Sequence, residues 1–401
     1  MRRPRRPRSA QVAFVAAAAL LGPAEPPARA CGWDWETYHA EAKSLPCVFD
    51  ALLGYWPKHT PEYHQARIDA ADQALRWVPG WAEGLDAKGL SLLRLGRMEP
   101  AEAVMKQRLA LDPDAYPGHA NLGTLYTFTG DYPAALEHID RAMAIEPQAH
   151  FGREKYHRAL VVFLQRAAED PAVARTENFL AVALTDAQRT HGSRATFRRL
   201  GLEDDVFDAL VSMITVYGAD EVAEIYLALG EALAARGHRR LAYTAYRRAK
   251  ELGHVRRKEL QRWMKELDAL IEQEFKGEIA SGARRSAMPE SVRGRLPHGM
   301  DNYRGIGPLY ARNRGTAKQS QTRWAKWERE RLEEGLPIWT QAGLDELYAR
   351  MNEQRRRCSA PRIIEDAQAP LAEPEPEPGE QEGGEPKPEP DADANAGGKT
   401  P

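Results

Sequence analysis

Between residues 82 and 149 the chain states one pattern twice. AEGLDAKGLSLLRLGRMEPAEAVMKQRLALDPDA is followed by YPGHANLGTLYTFTGDYPAALEHIDRAMAIEPQA, a repeat with a period of 34 residues. Gly89 falls on Gly123, Gly96 on Gly130, Ala101 on Ala135, Leu111 on Ile145 and Pro113 on Pro147. A fixed period in this range, with small residues and prolines in register, specifies an array of helix–turn–helix units. Each unit leaves an apolar face that only its neighbours can cover. Gly123 and Ala135 let two helices approach closely, while Leu122, Tyr126 and Ile139 fill the gap between them. Gly130 supplies a left-handed turn and Asp131 a cap for the next helix.

These residues resemble the tetratricopeptide repeat (TPR) family. In 116–149, Leu122, Gly123 and Tyr126 fill the small-and-large pattern of its first helix, Ala135, Ile139 and Ala142 that of its second, and Pro147 closes the unit. The preceding unit keeps its second half, with Arg67, Ala71 and Ala74 in place and Pro79 lying 34 residues before Pro113. Thr60-Pro61 gives that half a cap and a proline at the first helical position. The pattern returns at 223–256 with Leu229, Gly230, Gly237, Ala242, Tyr246, Ala249 and Leu252, and with His254 where the terminal proline would stand.

The resemblance implies an all-α, TPR-like helical solenoid over 63–275 with degenerate repeats, the best being 82–115, 116–149 and 223–256. It also implies a binding scaffold whose first helices line a groove for a protein or peptide. The family-equivalent groove positions are Asp86, Leu90, Arg94, Ala120, Asn121, Thr124 and Phe128. Asp86, Leu90, Ala120 and Thr124 stand where carboxylate-clamping members carry Lys/Arg and Asn, so an extended or helical segment held by mixed contacts is the expected ligand. The competing reading is that these side chains only pack against neighbouring repeats.

The N-terminus reads as an export signal over residues 1–30: a basic MRRPRRPRS, a short apolar AQVAFVAAAALLG, and Ala28-Arg29-Ala30 as the cleavage site. No other stretch is apolar enough to span a bilayer, so the mature chain is expected in a bacterial periplasm or envelope without a transmembrane segment. Cys31 then has two open fates. It is acylated as the first residue of a lipoprotein, although Ala28 stands where a lipobox wants Leu, or it pairs with Cys47. Three cysteines, at 31, 47 and 358, in an oxidising compartment leave one odd thiol, or two if Cys31 is acylated. Residues 31–62, with Trp33, Trp35, Tyr38, Phe49, Tyr55 and Trp56, read as an aromatic cap over the open end of the first repeat, or as a platform for glycan.

Through 150–222 the period fades but helical patterning continues, with Asp170-Pro171 starting one helix and EDDVFDALVSMITVYG forming another with acids in its first turn. Degenerate repeats are the expectation there. His150, Glu154 and His157 are spaced to share a helical face, a pattern that can hold zinc. It is not H-E-x-x-H, it lacks a fourth ligand, and ordinary capping and helix polarity compete with it. His138 lies on the outer face of the preceding repeat and adds no ligand.

After a helix over 255–275 the composition shifts. Residues 276–320 read as a basic irregular segment, and ten Lys or Arg face two acids within 283–326. That stretch suits an anionic envelope polymer or lipid, or is a solvated linker. The export signal disfavours nucleic acid. Residues 321–357 are a charged helical segment broken at Gly335 and Pro337, and 358–401 a disordered Pro/Glu-rich tail. The net charge of −2 therefore conceals a basic block followed by an acidic one, and the tail is expected to screen the block. Catalytic motifs are missing: no nucleophile elbow, phosphate loop or dinucleotide fingerprint. No cofactor and no enzymatic activity are expected; an acid–base site within 150–222 is the remaining enzyme reading.

Overall fold

The computed structural model describes residues 34, 37, 40, 45–280 and 305–358, with the backbone alone at 149, 275–280 and 352–358. Among the described residues the chain is all-α, with sixteen α-helices and no strand. The first seven are α1 (Val48–Leu53), α2 (Pro61–Leu75), α3 (Ala82–Arg94), α4 (Met98–Leu111), α5 (Tyr116–Thr129), α6 (Tyr132–Ile145) and α7 (Glu154–Glu169). Short helices follow: α8 (Val173–Thr176), α9 (Asp186–Thr190) and α10 (Arg194–Arg199). The last six are α11 (Asp205–Thr215), α12 (Ala223–Arg236), α13 (Arg239–Glu251), α14 (Arg257–Ala280), α15 (Ile306–Glu333) and α16 (Gln341–Cys358).

Three helix pairs, α3–α4, α5–α6 and α12–α13, share one construction. Gly89, Gly123 and Gly230 each occupy the eighth position of the first helix, and the side chain met there is the eighth of the second: Met105, Ile139 and Tyr246. The turns also match. Gly96, Gly130 and Gly237 have φ of +72°, +79° and +92°, a region that costs glycine nothing. Behind each glycine the next N–H reaches back five residues: Arg97 to the Leu92 carbonyl, Asp131 to Tyr126 and His238 to Leu233. This is the hydrogen bond that closes a Schellman cap and satisfies a carbonyl the helix end would strand. The expected caps are present as well, since the Thr60 hydroxyl accepts from Tyr63 N–H and the Asp131 carboxylate from Ala134 N–H, both at 3.2 Å.

Where the third pair lacks its proline, the chain uses other chemistry. Gly253 takes φ +93°, and the fully buried His254 accepts the Arg256 N–H at Nδ1 and lies 2.9 Å from Glu224 in the first turn of α12. An imidazole thus ties the end of this pair to its beginning.

From α2 to α7 each helix packs on its neighbours in sequence, and α12, α13 and α14 do the same. The stretch between differs from the expected degenerate repeats. Residues 170–204 hold only short helices, so no second helix pairs with α7 in the manner of the other hairpins. Instead α11 packs on α7, α12 and α1. Its apolar residues Val206, Leu210, Met213 and Ile214 join the largest core together with Leu160, Phe163, Ile225 and Leu229.

The C-terminal helices return to the start of the chain. Tyr63 of α2 is fully buried in a core with Trp324 of α15 and Ile338, Leu344, Leu347 and Met351 around α16. The buried carboxylate of Glu328 accepts the Thr60 N–H and contacts His59 Nδ1, both at 2.6 Å. The Tyr63 face of α2 is therefore covered by α15 and α16. Of the aromatic N-terminal segment, Trp33, Trp35 and Tyr38 lie outside the described residues, while Leu52 and Trp56 enter the core of α11–α14 and Leu53 packs against Tyr310 of α15. Helix α15 also corrects the irregular reading of residues 306–320. Gly307 and Pro308 fall in its first turn, where a missing N–H costs no helical hydrogen bond. The break at Gly335 (φ +71°) stands as expected.

Candidate functional site

The seven candidate groove residues all lie on the first helices of the best pairs, and this chain already covers most of them. Asp86, Leu90, Ala120, Asn121, Thr124 and Phe128 are buried, and Arg94 is half-buried. Arg94 donates to the carbonyls of Tyr217 at 2.5 Å and Val216 at 3.0 Å, clasping the loop that follows α11. Asp86 accepts from Arg108 Nε at 3.3 Å. Burial pushes its carboxyl from 3.8 up to about 7; Arg108 opposes the shift, and the charges of Asp34 and Glu83 add to it. Asp34, from the N-terminal segment, is itself buried and paired with Arg67 at 2.7 Å. Leu90 and Arg94 border a cleft of about 100 Å³ whose other walls include Trp56, His59, Tyr63, Arg67, Val216 and Tyr348. A cleft of that size admits one side chain rather than a peptide.

His150, Glu154 and His157 do come together, for a reason other than the expected helical spacing. The helix begins at Glu154; His150 and Phe151 lie before it with φ of +50° and +56°, left-handed backbone that non-glycine residues adopt at a cost of about 1–3 kcal/mol each. That turn brings His150 Nδ1 onto the Tyr217 hydroxyl and its Nε2 to 3.5 Å from Glu154. Glu154 reaches His157 Nδ1 at 2.8 Å, and His157 Nε2 lies 3.4 Å from the Thr127 hydroxyl. The two imidazoles hold the Glu154 carboxyl below its usual range against the opposing effect of burial. Among the described residues no three His, Cys, Asp or Glu are arranged to hold a metal ion. With His157 fully buried and the other two nearly so, this network is sealed from substrate and ties α5, α7 and the loop after α11 together.

One feature escaped the sequence reading. Trp77 is 85% exposed, and Val78, Trp81 and Leu111 are also exposed, all at the links that join α2 to α3 and α4 to α5. Leu111 stands against Gly80, and Trp81 covers Gly84. The signal was RWVPGW itself, two tryptophans flanking a Pro-Gly turn outside any helical period. Clustered apolar exposure of this kind marks contact surfaces.

Cys31, the export signal, residues 281–304 and the acidic tail lie outside the described residues, while Cys47 is half-buried just before α1. Of the basic segment, Arg312, Lys318, Arg323 and Lys326 are exposed on α15, whereas Arg314 donates to the Leu53 carbonyl at 2.6 Å. No helix among the described residues is long and apolar enough to cross a membrane. The chain matches no family model and no curated protein sequence.

Proposed function

We propose that this chain is an exported scaffold of the TPR type that makes protein–protein contacts in a bacterial periplasm or envelope. The observation that carries the reading is the threefold recurrence of glycine contact and turn hydrogen bonding in α3–α4, α5–α6 and α12–α13. A repeated hairpin is a frame for display, and what it displays here is the Trp77–Trp81–Leu111 surface. With most of the inner face occupied by the loop after α11 and by Asp34, a partner docks chiefly on this outer surface. Tryptophan at the centre of an exposed apolar patch is the side chain most enriched among binding hot spots.

A second reading rests on α15, where Arg312, Arg323 and Lys326 fall on one exposed helical stripe that suits an anionic polymer or lipid surface. Two assays on the purified chain separate them. Capture from envelope extract is compared between the native chain and a Trp77→Ser/Trp81→Ser/Leu111→Ser variant; sedimentation with cell wall and anionic vesicles is compared with an Arg312→Gln/Arg323→Gln/Lys326→Gln variant. Loss of a defined protein partner in the first variant, with sedimentation unaffected, supports the scaffold. Salt-sensitive sedimentation lost only in the second variant, with no partner captured, replaces it with the envelope-binding reading.

A further inference from the structure

The central helix pair carries two histidines where its counterparts carry core packing. His119 and His138 are the fourth residue of α5 and the seventh of α6. The same places hold Leu85 and Val104 in the first pair and Tyr226 and Ala245 in the third, all four buried. In α5–α6 the site is half-buried, with one side facing solvent. The two Nδ1 atoms are 2.9 Å apart, and His119 Nε2 is 2.9 Å from the Pro113 carbonyl. A carbonyl only accepts, so His119 carries its proton on Nε2 and aims an Nδ1 lone pair at His138. A backbone carbonyl fixing one ring nitrogen so that the other can ligate is the arrangement that supports metal-bound histidine. His138 Nδ1 donates across the gap, and its Nε2 has no protein partner among the described residues.

We propose that His119 and His138 form a binding site for a late first-row transition ion, Cu(II) above all, held by the two Nδ1 atoms as adjacent ligands. Metal–imidazole bonds of about 2.0–2.1 Å place two nitrogens about 2.9 Å apart when they meet at a right angle and about 3.3 Å apart at the tetrahedral angle. The observed separation is that of the hydrogen bond now joining the rings, and the preference for Cu(II) follows from the affinity order of first-row divalent ions for nitrogen ligands. Loading needs a change of tautomer at His138, in which the proton leaves Nδ1 for water and Nε2 takes one from water, and a turn of each ring off the line between the nitrogens so that both lone pairs meet at the ion. Burial, with the charges of His119 and Lys106, holds the His138 pKa below its usual value against the opposing charge of Glu137. Among the described residues no third His, Cys, Asp or Glu converges, so water completes the shell.

The test titrates Cu(II) into the full purified chain by calorimetry against a glycine competitor, with electron paramagnetic resonance on the one-equivalent complex. A His119→Leu/His138→Val variant carries the apolar pair of α3–α4 and so keeps the hairpin packed; His191→Ala, an exposed histidine elsewhere, is the control. The proposal expects one equivalent bound through two nitrogens, an affinity at least about tenfold weaker in the double variant, and no change in the control. Single His119→Ala and His138→Ala variants should each lose the two-nitrogen spectrum. Undiminished affinity or an unaltered spectrum in the double variant overturns the site, as does the absence of a two-nitrogen spectrum in the native chain.

Discussion

Replacing the eighth residue of each hairpin by alanine tests the repeat with one added carbon. Built on Gly230, the new Cβ stands 2.6 Å from Cδ1 and Cε1 of the fully buried Tyr246 ring, a rigid group held on every side. On Gly89 it stands 3.1 Å from Cγ of Met105, whose unbranched chain can shift by the few tenths of an ångström needed. Both positions lie inside helices, so each substitution gains the same helix propensity, about 1 kcal/mol. That gain cancels in the comparison. What remains is the overpacking cost at Tyr246, about 1–3 kcal/mol. Gly230→Ala should therefore unfold at lower urea than Gly89→Ala by that amount, with the slope unchanged, as read by far-UV circular dichroism. Gly123→Ala, facing Ile139 Cγ1 at 2.7 Å, should fall between them. Equal midpoints for Gly230→Ala and Gly89→Ala would refute the packing argument.

Three further outcomes are expected. Arg189→Leu should cost about 3–5 kcal/mol, because it strands the buried Glu231 carboxylate 3.1 Å away, and Arg189→Leu/Glu231→Leu should recover much of the loss in the same urea assay. The Asp86 carboxyl titrates near 7 in the fold against 3.8 when exposed, so its contribution to stability is full below the lower value and lost as pH rises through the upper one. Asp86→Asn should thus lose less stability than the native chain between about pH 5 and about pH 8; an identical loss would mean that Asp86 stays charged throughout. Trp77→Ser and Trp81→Ser, at exposed positions, should shift stability by no more than about 0.5 kcal/mol while abolishing partner capture, and a large thermal shift would make the patch structural.

The hairpins were legible in sequence because their requirements are local. Gly96 and Gly130 are needed for backbone sign, Gly89 and Gly123 for closeness, and Thr60 and Asp131 for stranded N–H groups, all at fixed spacing. What covers the inner face was not legible. Arg94 meets carbonyls more than a hundred residues away, and such a contact leaves no period to read. The trio at His150 shows the same limit from the other side. Its spacing suggested a helical face, yet a left-handed turn brings His150 to Glu154, and Tyr217, which fixes that histidine, lies 67 residues on. At Pro308 the composition suggested irregular chain because proline at a helix start and proline in a loop look alike until the following turn is seen.

The clasp between Glu328 and Thr60 spans 268 residues, and it bears on the order of events as the chain is made. A linear stack can lose its end units one at a time; here α2, where the stack begins, is pinned by α15, so fraying from that end must first break the clasp. By the same token, a growing chain that has completed its early hairpins still holds Tyr63 in water until α15 and α16 arrive. That interval of exposed aromatic surface is when a holdase would be needed, and it closes only after synthesis of most of the chain.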